Sequence, residues 1–237
     1  MPICLIIYPF AVDGFMAQFT LMIIKRWILT VALLISAGST FAAEGDWGYA
    51  QNLYLKLNLS EKWSFLHRSQ FALRDDMSDL FFGFADAGLG YTFHPAWRID
   101  GVYRRAWIEP GDTWLIEDRP LVNLTWFGKI NEARLMNRSR VEFRLYRWDR
   151  EDDIRFRNES RAELPWGLWG IKPYFEEEFF WGYNRGDFEM NWLTGGLAYK
   201  AGKHVKLKLG YRWILIRNFQ DEWENRNQLV SGINLYF

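Results

Sequence analysis

Cysteine is nearly absent from this 237-residue chain: Cys4 is the only one, which excludes both a disulfide framework and a cysteine metal centre. The three histidines, His67, His94 and His204, stand far apart, so a histidine-rich metal site is not expected either. Charge of one sign is missing too. The 29 basic side chains are matched by 29 acidic ones, which argues against a nucleic-acid binder working through a bulk positive field. After residue 42 no apolar run reaches the roughly 18 residues of a spanning helix. What the chain has in excess is aromatic rings: 14 Trp, 11 Tyr and 19 Phe make up 19% of it, more than a soluble core requires.

The N-terminal region carries a targeting pattern. Lys25-Arg26 precedes an apolar run from Trp27 to Ile35 and then the small-residue stretch Ser36-Ala37-Gly38-Ser39-Thr40-Phe41-Ala42-Ala43. This is the order of a secretory signal peptide, with Thr40 and Ala42 at the two small positions before the cleavage site. Met22 opens a conventional signal, so residues 1–21 are consistent with an over-extended start. The expected division is therefore a signal peptide over 1–42 and a mature, cysteine-free domain over 43–237, which fits an exported bacterial protein.

From Trp47 onward apolar residues recur at every second position. Trp47, Tyr49, Leu53, Leu55 and Leu57 share one face while Asn52, Lys56 and Asn58 share the other. Trp97, Ile99 and Tyr103 alternate with Arg98, Asp100 and Arg104, and Val205, Leu207, Leu209, Tyr211 and Trp213 with Lys206, Lys208 and Arg212. A period of two sustained over long segments is a strand signal. It suits a soluble sandwich or a transmembrane barrel with its apolar face toward lipid and aromatic girdles at the interfaces. Strand length, Trp and Tyr at strand ends, and an alternating C-terminal strand closing on Phe237 favour the barrel. That ending resembles the signal read by the bacterial outer-membrane assembly machinery, an expected partner along with outer-membrane lipid and lipopolysaccharide.

The fold class expected is all-β: one antiparallel up-and-down barrel of about 10–12 strands. Turns at 60–62, 94–96, 128–132, 165–170 and 202–204 are short, while those at 75–79, 108–114, 149–153, 182–189 and 217–224 are longer or more polar. Barrels put short turns in the periplasm and long loops outside. The segments count to eleven; either one strand is missed or split, or the N-terminal segment starts on the far side or in the lumen, and the usual even number favours ten or twelve. Two residues misfit: Glu177 and Arg105 fall on the lipid face, where a bulge could re-phase the first and snorkelling relieve the second.

Charges concentrate in one hairpin. The strand at 133–148 carries Arg134, Arg138, Arg140, Glu142 and Arg144 on one parity, and the strand at 154–164 carries Arg155, Arg157, Glu159, Arg161 and Glu163. The next strand adds Glu176 and Glu178. A Lys or Arg facing mid-bilayer costs about 2–4 kcal/mol, so these side chains are expected to line the lumen. They can form ion-pair ladders that rigidify and close it, or an Arg-rich wet track that attracts small anionic solutes; both readings stay open.

The stretch Leu57-Asn58-Leu59-Ser60-Glu61-Lys62-Trp63, the central Arg138-Ser139-Arg140-Val141-Glu142-Phe143-Arg144, Arg155-Phe156-Arg157-Asn158-Glu159, Gly210-Tyr211-Arg212 and the Tyr236-Phe237 end resemble the bacterial outer-membrane proteins grouped as domain of unknown function 2490. The resemblance implies a fold and a location and transfers no catalytic residue or cofactor. A looser similarity, in size and Arg-lined strands, is to small twelve-stranded porins for acidic oligosaccharides. One weak signal points toward an enzyme: His67-Arg68-Ser69 has the spacing of the His-x-Ser pair that two types of outer-membrane lipid hydrolase carry. Such chemistry needs a third orienting group in reach, and none follows Ser69. No catalytic residue, metal or cofactor is therefore expected. Mature protein is expected to begin at Ala43, checked by mass spectrometry of outer-membrane fractions; material retaining residues 1–42 would contradict this.

Overall fold

The computed structural model describes residues 47–111, 113–167, 169–184, 186–217 and 222–237. The expected signal peptide and its cleavage site lie outside them. The described chain forms eleven strands: β1 (Trp47–Asn58), β2 (Trp63–Arg74), β3 (Asp79–His94), β4 (Trp97–Ile108), β5 (Leu115–Ile130), β6 (Ala133–Tyr146), β7 (Asp153–Glu163), β8 (Ile171–Gly182), β9 (Asp187–Lys200), β10 (Val205–Arg217) and β11 (Trp223–Tyr236). Each pairs with its sequence neighbours, and β1 meets β11 to close the sheet into a barrel. Among the described residues no α-helix occurs.

Eleven strands fall within the expected 10–12 and match the count of segments, but correct the preference for an even number. Ten pairings are antiparallel, but β1 and β11 run parallel, with Trp47 opposite Asn227 and Lys56 opposite Tyr236. This follows from counting: in an up-and-down barrel an odd number of strands brings the first and last together in the same direction. The seam is tied by ladder hydrogen bonds that continue past the strands, Asn58 N–H to the Phe237 carbonyl (2.7 Å) and Phe237 N–H to the Lys56 carbonyl (2.9 Å). Consequently β1 starts at the rim of the longer connections, while the C-terminus lies at the rim of the short turns.

Alternation places the two faces as the pattern requires. Leu89, Ile99, Val122, Leu124, Val141, Phe143, Ile154, Leu207, Leu209 and Ile233 point outward and stay exposed, forming an apolar outer wall. Trp47, Trp63, Trp107 and Trp181 join it near strand ends. The buried interior is mainly polar, including Asp86, Asp100, Arg104, Glu117, Arg140 and Glu142. This inverts the soluble arrangement, in which buried charge is rare. Glycine makes room inside at one crowded point. A Cβ on Gly210 would come within 2.6 Å of the Tyr174 hydroxyl, and one on Gly196 within 2.8 Å of the same ring, so Tyr174 lies sunk into the wall of β9 and β10.

A closed sheet has no free edge and resists detergent unfolding. The unboiled protein should therefore migrate differently from the boiled one on a gel and show a β-rich circular dichroism spectrum; a helical spectrum would contradict the fold.

The charged lumen as candidate functional site

The barrel encloses a cavity of about 1110 Å³. Its lining includes Asp75, Ile216 and Glu224 near the rim of the long connections and Lys56, Phe127 and Arg134 near the rim of the short turns. The space thus reaches toward both ends of the barrel. Of the twelve residues expected to line it, Arg134, Arg138, Arg140, Arg155, Arg157, Glu159, Arg161, Glu163, Glu176 and Glu178 do so. Glu142 and Arg144 face the same way but lie beneath the cavity surface, Glu142 with no exposure at all.

Strand register explains the assembly. On adjoining strands Asn123, Arg140, Arg157 and Phe180 fall in one row and Glu142 and Arg155 in the next. Each carboxylate therefore meets several guanidinium groups. Glu142 takes Arg140 (3.1 Å), Arg155 (2.6 Å) and Arg157 (2.9 Å). Glu117 takes Arg119 (2.5 Å) and Arg144 (2.7 Å), and Asp86 takes Arg68 (3.2 Å) and Arg104 (2.7 Å). Glu159 is shared by Arg138 and Arg161, Glu163 by Arg134 and Lys206, and Glu176 by Arg161 and Lys208. Arg157 also reaches Glu178 at 2.8 Å.

Pairing of this kind does not neutralise the wall. Sixteen Lys and Arg line the cavity against six Asp and Glu, while Asp86, Asp100, Glu117 and Glu142 are buried behind the guanidinium groups. Balancing carboxylates stand instead at the rim of the long connections, among them Asp79, Glu109, Asp153 and Asp187. Sequence reasoning concentrated on the 133–164 hairpin and left out of its site Arg98, Lys206, Lys208 and Arg212, although their alternation with apolar residues was visible. It also missed Trp192, whose ring faces inward with the Arg212 guanidinium 4.3 Å and the Arg157 guanidinium 5.6 Å from its centroid. Among the described residues Arg212 forms no ion pair with a carboxylate and instead donates to Thr194 (3.1 Å) and Gln228 (3.3 Å).

The sequence profile of a family described as protein of unknown function DUF2490 matches residues 47–225. The chain belongs to that family. A porin, NanC, solved in a rhombohedral crystal form, shares the fold: the TM-score is 0.50 at 12% identity, over 76% of this chain and 94% of that one. No curated protein matches the sequence.

The two misfits resolve differently from expectation. Glu177 keeps its outward parity opposite Ser160 and Leu193, because the bulge in β8 comes later, between Phe180 and Trp181. It accepts a hydrogen bond from Asn191 at 3.1 Å. Beside it Asn137 and Asn158 exchange amide hydrogen bonds of 3.0 and 3.1 Å and reach Ser160 and Ser139. Arg105 is outward as expected, but it is held by Asp118, an outward acid that the alternation did not flag.

Glu142→Gln leaves three cations around a neutral amide. Breaking a buried ion pair costs about 3–5 kcal/mol, so the urea midpoint for loss of the folded gel band should fall clearly; an unchanged midpoint would show that the shared carboxylate does not hold the wall.

Proposed function

We propose that this protein is an outer-membrane barrel that forms a small passive channel favouring anionic solutes. The observation that carries the reading is the cavity reaching toward both rims with cations exceeding anions on its surface. An apolar outer wall with aromatic rings near strand ends supports the membrane location. The C-terminal β11, closing on the exposed Phe237, supports engagement of the outer-membrane assembly machinery. Barrels of eight strands are filled by their own side chains and those of sixteen or more hold an aqueous channel. At eleven the side chains decide, and here they leave space. A positive wall in a narrow, low-dielectric surround concentrates small anions and repels cations, more weakly as salt rises.

One observation favours a second reading, a structural barrel with a closed lumen: nearly every wall guanidinium is engaged by a carboxylate, as a rigid ladder would require. The hydrolase reading has less support. His67 and Ser69 share the outward face of β2, but opposite them stand Leu55, Leu53, Ala87 and Ala85. Among the described residues no hydrogen bond or ion pair orients the histidine.

Planar-bilayer recordings separate the two main readings. A small conductance is expected, with a reversal potential under a salt gradient showing preference for chloride over potassium. Arg140→Ala with Arg157→Ala should lower that preference about twofold. Cation selectivity, or no conductance from demonstrably folded protein, would reject the channel and leave the structural barrel.

A further inference from the structure

The outer wall carries a cluster of three charged side chains that the lumen does not explain. Asp118 on β5 points outward and is fully buried, because two arginines cover it. Arg105, directly opposite on β4, donates from Nε to Oδ1 (2.8 Å) and from Nη2 to Oδ2 (3.2 Å). Arg147, just beyond the end of β6, donates from Nε to Oδ2 (2.8 Å), with Nη2 at 2.7 Å from the same oxygen. The backbone of Arg147 is pinned by its N–H on the Ile116 carbonyl at 3.1 Å.

Three features distinguish this cluster from a neutral ion pair. Two guanidinium groups share one carboxylate, so the group carries a net positive charge. Both arginines meet Asp118 through the Nε–Nη2 edge, which leaves the Nη1 groups outside that pairing; their side chains remain 48% and 59% exposed. The carboxylate, in contrast, is sealed, so the charge that the surface presents is that of the two guanidinium groups, with the Tyr103 side chain hydrogen-bonded among them. The position is specific as well. Arg105 stands between Tyr103 and Trp107 on the outward face of β4, both exposed, and Arg147 opens the long connection after β6. With the long connections outside the cell, this places the cluster in the aromatic belt where outer-leaflet head groups lie. Apart from that depth, a cationic side chain facing hydrocarbon would be costly; at it, a planar guanidinium fork matches a phosphate oxygen pair.

We propose that Arg105 and Arg147, preset by Asp118, form a binding site on the outer wall for the phosphate of a phosphorylated glycolipid in the outer leaflet. This rests on the outer-membrane reading above and is independent of whether the lumen conducts. Asp118 acts as the positioning residue: it fixes both forks at one spacing before any lipid arrives.

Native mass spectrometry of the folded barrel in detergent, titrated with diphosphorylated lipid A and with the same lipid after phosphatase treatment, tests the site. Wild type should hold the phosphorylated lipid at least tenfold more tightly than the dephosphorylated one. Arg105→Gln with Arg147→Gln should abolish that ratio, while Arg105→Lys with Arg147→Lys should keep most of it. Should the double glutamine variant lose its folded gel band, Arg147→Gln alone, at an exposed position beyond the strand, carries the comparison. Equal retention of both lipids by wild type, or an undiminished ratio in the glutamine variants, would overturn the site. Displacement of the lipid by inorganic phosphate at equal concentration would overturn the glycolipid assignment in favour of a bare oxyanion site. Flotation with phosphatidylcholine vesicles reports membrane insertion separately, so a barrel that inserts but does not discriminate fails here without touching the membrane reading.

Discussion

Carboxylate sharing is the interaction on which the interior depends. Glu142 lies at the centre, wholly buried, with Arg140, Arg155 and Arg157 around it. Taking an ion of that size from water costs several kcal/mol, and it is tolerated only with good geometry and saturated hydrogen bonding. Three guanidinium groups supply both. Because one acid serves two or three cations, the network is rigid and still leaves a positive surface. The same ratio recurs at Asp86, Glu117, Glu159, Glu163 and Glu176. Rigidity and a residual field, which looked like alternatives, are two consequences of one stoichiometry.

Overall neutrality then has a spatial meaning. With equal numbers of basic and acidic groups in the whole chain, a cationic wall requires carboxylates elsewhere. Several stand at the rim of the long connections, where Asp79, Glu109 and Asp187 meet Arg74 or Arg217 in more solvated surroundings. On the outer wall the rule of two cations to one acid appears again in Arg105, Asp118 and Arg147. There it makes a charged group tolerable at the edge of an apolar surface, because snorkelling arginines can keep their heads at the interface.

How much of this was legible follows from periodicity. A side-chain period of two assigns faces locally, so the lumenal parity of Arg138, Arg140, Arg155 and Arg157 could be read from the residues themselves, as could every connection between strands. Closure could not be read locally. The count of eleven was available, but the expected even number reflects barrels whose two ends share one side of the membrane, whereas here β1 enters from the opposite rim and pairs in parallel with β11. Cross-strand partners were hidden as well. That Asp118 faces Arg105, that Asn137 meets Asn158, and that Trp192 stacks near Arg212 depend on register between strands distant in sequence, which alternation leaves unspecified. Glu177 shows the limit most plainly: its parity was right, and the bulge that could have moved it lies three residues too late.

The sign of the interior field is the central claim, and ion occupancy measures it without reference to transport. Crystals of the folded barrel soaked in rubidium bromide carry two anomalous scatterers of opposite charge. Bromide peaks among the guanidinium groups of β6, β7 and β10, with none for rubidium, are the expected result. Rubidium inside the lumen, or a lumen empty of both ions, would contradict a net positive wall.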